Sequence, residues 1–415
     1  MRTGLGSDVI PSFDRLRSPE PCNHRGRPAS QSPTVCNAVG VGVTVAVVGV
    51  RFGADFVPIY LSHPDVDDVV IVDADPERRR AVARRYGLGD GHASLDEALA
   101  DPRIDAVHLL TPVSFHADMT VQVLDSGRHV ACAVPMATSL PDIDRILEAR
   151  ARGGGRYMMM ETAVYAREYA YVESMLRDDA FGALTLYRGH HIQNIDGYPP
   201  YWQGYPPMHY ITHALAPLLA LLDTRVETVR ALGAGRLAPH RAGGYGNPFP
   251  SEIGLFTVAG SEVVAEVTVA FFQTARKYIE GFHLYGERGG VEWPADNVGP
   301  LTVYRMSDPP DGVVGNPIER ATIDPPDVPE RLPAALRGFV RESDVLLAGM
   351  SEPVRVNAHH GGSHPFLVHE FVSSILEGRE PWVDAARAAT WTAPGIQAHA
   401  SALAGGAVLE VPRYR

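Results

Sequence analysis

The chain has 415 residues, 45% of them apolar, which is enough for two or three ordinary domains. Its formal charge of −12 argues against a nucleic-acid partner, and no apolar run approaches the length of a membrane span. Lys277 is the single lysine, so lysine catalysis is excluded almost everywhere. Cys22, Cys36 and Cys132 show neither metal nor redox spacing and fit a reducing, cytoplasmic compartment.

Residues 1–40 are rich in Pro, Ser, Gly and Arg without periodicity, and a disordered leader is expected there. The apolar run Val45-Ala46-Val47-Val48 reads as a strand leading into a glycine turn, Gly49-Val50-Arg51-Phe52-Gly53-Ala54. Against the dinucleotide pattern G-x-G-x-x-G/A, Gly49 and Ala54 fit, while Arg51 replaces the second glycine. That arginine either crowds the approach of a pyrophosphate or pairs with it. A second apolar run, Val69-Val70-Ile71-Val72, ends in Asp73, 24 residues after Gly49, where a ribose-binding carboxylate belongs. Asp73 is followed by Ala74 with no adjacent arginine, which favours NAD over NADP. Asp75-Pro76 reads as an N-cap and first helical residue, and Ser94-Leu95-Asp96-Glu97 as a capping box. Asp105 to Leu110 and His129 to Cys132 are short strands, and a helix follows Ser139. Alternating strands and helices predict a doubly wound parallel sheet, a Rossmann domain over 41–160.

After Glu161 the texture changes. Leu184 to His191, Glu227 to Leu232, Gly254 to Val258, Val263 to Phe272 and Phe282 to Glu287 read as strands, with a hairpin at Ala259-Gly260-Ser261. These predict an α+β domain over 161–415 with an open, mostly antiparallel sheet. Ser307 to Pro329 reads as a surface loop, and Pro365 to Leu376 as a closing helix ended by Gly378.

Several stretches together resemble the Gfo/Idh/MocA family, named for glucose–fructose oxidoreductase and inositol dehydrogenase. They are Gly49 to Tyr60, Ile71 to Pro76, Ile104 to Val107 with Thr111-Pro112 through His116, Gly127 to Ala137, and Gly378-Arg379-Glu380-Pro381. The resemblance covers about Val43 to Val411. It implies hydride transfer between NAD and a sugar or cyclitol carbinol, and pairing through the open sheet into a homodimer or homotetramer. It implies that Gly49, Arg51, Phe52, Gly53, Ala54, Asp73, Thr111, Pro112, His116, Ala133, Val134 and Pro135 border the cofactor. Two departures stand out. The family's Glu-Lys-Pro is Ala133-Val134-Pro135 here, and its Asp-x-x-x-His is His209-Tyr210-Ile211-Thr212-His213.

Oxidising a secondary alcohol needs an acceptor for the hydroxyl proton, and histidine suits that role. His213 is the expected base. His209, one helical turn earlier, is expected to share its face as a proton relay or substrate-orienting group. The same spacing suits zinc, with His190, His191, His359, His360, His364 and Glu161 as further donors, but the zincin glutamate is missing and no metal is expected. Glu161, Tyr165, Tyr201, Trp202 and His364 are expected to face the substrate, with Ser363 capping the last helix. The leading expectation is an NAD-dependent sugar or cyclitol dehydrogenase. The rivals are a redox-neutral enzyme, which oxidises a sugar transiently before elimination or cleavage, and a non-catalytic cofactor-binding protein.

Overall fold

A computed structural model describes residues 42–293, 299–312 and 314–414; the expected leader lies outside them. The β-branched run Val43–Val48 is strand β1, buried along its whole length. It pairs in parallel on one side with β2 (Val66–Val72) and on the other with β3 (Ala106–Leu109). Beyond β3 lie β4 (His129–Cys132) and β5 (Tyr157–Met159), also parallel, giving the order β2-β1-β3-β4-β5. Chain order reverses between β1 and β3, so the crevice at the carboxyl ends of these strands is the topological switch point where ligands bind in such sheets.

Local chemistry sets the intervening helices. The Asp75 carboxylate accepts from the Glu77 and Arg78 N–H groups, with Pro76 opening helix Pro76–Tyr86. Ser139 caps Leu140–Arg152 in the same way, accepting from Asp142 N–H. Ser94 accepts from Glu97 N–H, but Glu97 returns to the N–H of Ala93, one residue before the cap. The glycine turn opens only a short 3₁₀ turn, Gly53–Asp55, before the helix Val57–Ser62.

The second sheet has nine strands: β6 (Leu184–Ile192), β7 (Val226–Ala234), β8 (Ser251–Val258), β9 (Val264–Ala270), β10 (Ile279–Gly286), β11 (Gly289–Glu292), β12 (Leu301–Met306), β13 (Ile318–Ile323) and a C-terminal strand, Leu409–Glu410. Their order is β13-β12-β11-β10-β6-β9-β8-β7 and then the C-terminal strand; all neighbours are antiparallel except β6 with β9. One face packs on helix Thr212–Leu221, and at Gly189 an added Cβ would lie 2.0 Å from the Ala214 carbonyl. The other face exposes Leu186, Leu232, Ile253, Leu255 and Val264.

Two expectations are corrected. The stretch read as the loop Ser307 to Pro329 contains edge strand β13, whose residues are nearly all exposed and so lack the alternation that marks a half-buried strand. The chain does not close with the helix His364–Leu376, because a 19-residue helix, Ala385–Leu403, follows it. Pro394 and Gly395 disguise this helix as a break. Gly395 is there for packing, since a Cβ would meet the Met208 carbonyl at 2.2 Å.

Candidate active site

Two cavities meet at the carboxyl edge of the parallel sheet. One, about 410 Å³, includes Gly49, Asp73, Arg78, Ser94, Pro112 and Phe115 in its walls. The other, about 420 Å³, runs beneath the second domain past Phe52, His116, Val134, His213, Tyr210 and His360. Arg51, Leu110, Thr111 and Tyr201 line both.

The first cavity has the donor set of a dinucleotide half-site. Asp73 is held at the end of β2, its oxygens accepting from the N–H groups of Val50 (3.0 Å) and Asp75 (2.9 Å). Gly49 adopts φ +89°, and a Cβ there would press to 2.6 Å from the Leu110 carbonyl, so glycine lets the turn lie against β3. Gly53 packs the turn onto Val47 and Leu110. Ala54 receives the Tyr86 hydroxyl on its carbonyl. Arg51 is exposed at the junction of the cavities, placed to meet the pyrophosphate of a dinucleotide that spanned both. Arg51→Ala should weaken NAD binding at least about 10-fold by calorimetry, the scale of one charge-assisted contact; an unchanged affinity would show that the arginine swings clear. The expectation that no arginine neighbours Asp73 is corrected: Arg78, one helical turn on, donates to both Asp73 oxygens at 3.0 and 3.2 Å.

His116 is clamped between two carbonyls, Pro135 O at 2.8 Å from Nδ1 and Thr111 O at 3.0 Å from Nε2. Both partners only accept, so both ring nitrogens must donate, and the ring is an imidazolium. Burial opposes that charge, but the Cys132 sulfur and the two carbonyls outweigh it and hold the pKa up to about 9. His116 thus pins the Thr111 turn to the Ala133-Val134-Pro135 turn, and Val134 presents a buried apolar wall to the cavity.

The second cavity gathers titratable groups from four elements. Glu161 follows β5 and is fully buried; it accepts from Ala163 N–H at 2.9 Å and lies 2.7 Å from His213 Nδ1. His191 and Glu280 are register partners across β6 and β10. His213 stacks between His191 (5.4 Å, 15°) and His360 (5.6 Å, 26°). Glu280 receives the Tyr278 hydroxyl and lies 3.2 Å from His360 Nδ1. Burial disfavours a charged His213, but the Glu161 and Glu280 carboxylates override it and hold its pKa at about 9. His191 goes the other way, pushed by burial and by His213 down to about 3. Burial opposes the Glu280 charge, yet the surrounding histidines hold this carboxyl well below the usual range. His360 sits at φ 50°, ψ 49°, beside the positive-φ Gly361 and Gly362, in a backbone region that costs about 1–3 kcal/mol for a residue with a Cβ.

Tyr201 and Trp202 line the cavity, as does Tyr198 of the same aromatic loop. That loop is anchored by Asp196, which is paired with Arg241 at 2.7 Å. Three other expected site residues lie elsewhere. His209 belongs to the 3₁₀ turn Pro207–Tyr210, which ends before helix Thr212–Leu221 begins, so the two histidines do not share a helical face. Its ring lies edge-on to His399, which is paired with Glu252. Tyr165 is buried against Trp382. His364 stacks on Phe56 at 4.3 Å beneath the glycine turn, and Ser363, itself in helical φ/ψ, forms no side-chain cap. Sequence reading passed over Glu280 and Tyr278. Their signal was a glutamate within an apolar, aromatic stretch, at the start of a strand expected to begin only at Phe282.

An NAD-type half-site at a parallel-sheet switch point, joined to a polar cavity under an antiparallel domain, defines a two-domain nucleotide-binding architecture. Residues 43–161 match the Gfo/Idh/MocA model, described as an oxidoreductase family with an NAD-binding Rossmann fold. Over those residues the chain is similar to that oxidoreductase family. An uncharacterised oxidoreductase of Rhizobium meliloti is 36% identical over 100 residues, covering 24% of this chain and 30% of that protein. A glycosyl hydrolase family 109 protein of Streptomyces niveus is 23% identical over 403 residues, 90% of this chain and 77% of its own length. The chain spans less than half the length of several such relatives. In fold it is similar to a levoglucosan dehydrogenase solved with NADH and levoglucosan, with TM-score 0.71 and 18% identity over 90% of this chain and all of the other. No helix among the described residues is long and apolar enough to cross a membrane.

Proposed function

We propose that the chain is an NAD-dependent oxidoreductase acting on a CH–OH group of a sugar or cyclitol, with His213 as the catalytic proton acceptor. The observation that carries this is the His213–Glu161 pair, buried at the wall of a cavity continuous with the dinucleotide half-site. Bound there, nicotinamide supplies the hydride acceptor. The Nδ1–H of His213 donates to Glu161, which leaves Nε2 to accept the substrate hydroxyl proton. Glu161 is the positioning residue: it sets the tautomer and favours the imidazolium that forms. Tyr201, Trp202 and Tyr210 offer aromatic faces to a carbohydrate ring, and Gln193 offers an amide. The exposed apolar face of the nine-stranded sheet supports pairing of two copies.

A redox-neutral course is the second reading, favoured by one observation. Val134 removes the usual lysine, while Glu280, Tyr278 and His360 supply a second acid–base group that simple hydride transfer does not need. The resemblance to family 109 glycosyl hydrolase proteins supports it. Calorimetry with NAD and absorbance assays on a panel of sugars and glycosides test both. Net NADH formation supports the dehydrogenase, and turnover without it supports the redox-neutral course. Failure to bind NAD in either redox state, with none co-purifying, sinks both.

A further inference from the structure

We propose that His191, His213 and Glu280 form a binding site for a divalent transition-metal ion of the zinc class, one that competes with the substrate proton for His213. The site itself rests on geometry; only its kinetic consequence rests on the assignment of His213 as the base.

One donor atom from each of the three residues lies within 4.8 Å of the other two, and none of the residues is more than 3% exposed. The arrangement follows from the sheet. His191 and Glu280 are register partners on the face that meets helix Thr212–Leu221, and the close approach at Gly189 brings His213 over them.

Hydrogen bonding then sets the tautomer of His191. Gln193 uses its Nε2 to donate to the Tyr198 hydroxyl at 3.0 Å, so its Oε1 accepts from His191 Nε2 at 3.3 Å. His191 Nδ1 is left as a bare lone pair, buried without a hydrogen-bond partner and 3.7 Å from Glu280 Oε2. Glu280 Oε2 already accepts from the Tyr278 hydroxyl, so the His191 nitrogen is the atom without a partner, and a cation between the two would satisfy it. Zinc bonds nitrogen and carboxylate oxygen at about 2.0–2.2 Å, so two of its ligands stand about 3.4 Å apart at the tetrahedral angle and somewhat farther when the angle opens.

The surroundings also suit an ion. Glu161 holds His213 Nδ1, and His360 and Tyr278 hold Glu280, the outer contacts that orient metal ligands. Glu161 and Glu280 place two carboxylates in a site where Arg51 is the only arginine or lysine among the described lining residues. Two imidazoles with one carboxylate favour zinc or cobalt over magnesium or calcium. Three protein ligands leave a position open toward the cavity for water or a sugar hydroxyl.

The test is titration of the chelator-treated full chain with cobalt(II), read by its visible ligand-field absorption, and with zinc(II), read by bound metal. Near one ion per chain is expected, with affinity lowered at least about 10-fold in both His191→Ala and Glu280→Gln, as disturbing a metal's ligand shell implies. Zinc should also inhibit turnover in step with its occupancy, reversibly with chelator. Thermal melting and NAD binding confirm that the variants are folded, and His191→Asn replaces any that is not. No cobalt absorption in the wild type, or an affinity unchanged from wild type in both folded variants, overturns the site. Because the cobalt spectrum does not depend on turnover, the site can stand or fall separately from His213 as the base.

Discussion

His213→Ala is expected to lower turnover by about 10² to 10⁴ while leaving NAD affinity within about twofold, because removing a general base costs the proton-transfer contribution alone. His213 touches the substrate cavity but does not line the dinucleotide half-site, so binding and chemistry should separate. A pH signature distinguishes this role from a structural one. With its pKa held at about 9, His213 is an imidazolium at neutral pH and must lose its proton before it can act as base. Alcohol oxidation, measured as kcat/KM, should therefore rise with unit slope to about pH 9 and then level off. Carbonyl reduction needs the protonated ring and should stay level up to about pH 9 and fall above it. Glu161→Gln removes the first of the two carboxylates that support the imidazolium, so the break in the oxidation profile should move down by at least about one unit. A His213→Ala enzyme with unchanged turnover, or a break that ignores Glu161→Gln, removes the pair from the mechanism.

The parallel half of the fold was legible because its signals are local. β-Branched runs ended by Gly49, Asp73 and Thr111 mark where strands stop and ligand turns begin, and Asp75 and Ser139 cap the helices as their positions implied. The second half was legible as strands but not as a site. His213 was found because it keeps the histidine of the Asp-x-x-x-His pattern that the resemblance implies. Its neighbour Glu280 was not, because the contact of β6 with β10 joins residues about 90 apart in sequence, a pairing decided only by register. His209 misled for the opposite reason. Periodicity assumed one continuous helix where Pro206 and Pro207 impose a separate 3₁₀ turn. The arginine beside Asp73 was missed because adjacency was sought along the chain, whereas Arg78 reaches back across the first turn of a helix.

The thermal midpoint should be highest near pH 6.5 and fall on both sides, and the sign follows group by group. His63, His108, His191 and His209 each have a folded pKa of about 3, first because of burial and, except for His108, also because of a neighbouring histidine. Below pH 6.5 the unfolded chain takes up protons that these folded sites refuse, so stability falls as pH drops from 6.5 toward 3. His116 and His213 have folded pKa values of about 9, where the Cys132 sulfur and two carbonyls, or two carboxylates, outweigh burial. Their contribution is complete below pH 6.5 and is lost as pH rises through 9. Glu168, raised by burial to about 7, works against the acid arm, because it takes up a proton more readily when folded. Four histidines outweigh this one carboxyl. Each pK unit of difference is worth about 1.4 kcal/mol at full effect, so a net loss on the order of 10 kcal/mol is expected by pH 4. In a domain of this size that lowers the midpoint by on the order of 10 °C. His116→Leu should make the alkaline arm shallower, leaving the His213 part, without touching the acid one, because it deletes one buried cation and leaves the four neutral rings in place. A melting midpoint that stays level from pH 4 to pH 9 would show that the buried rings titrate as they do in water, and the charge assignment of the whole cavity would go with it.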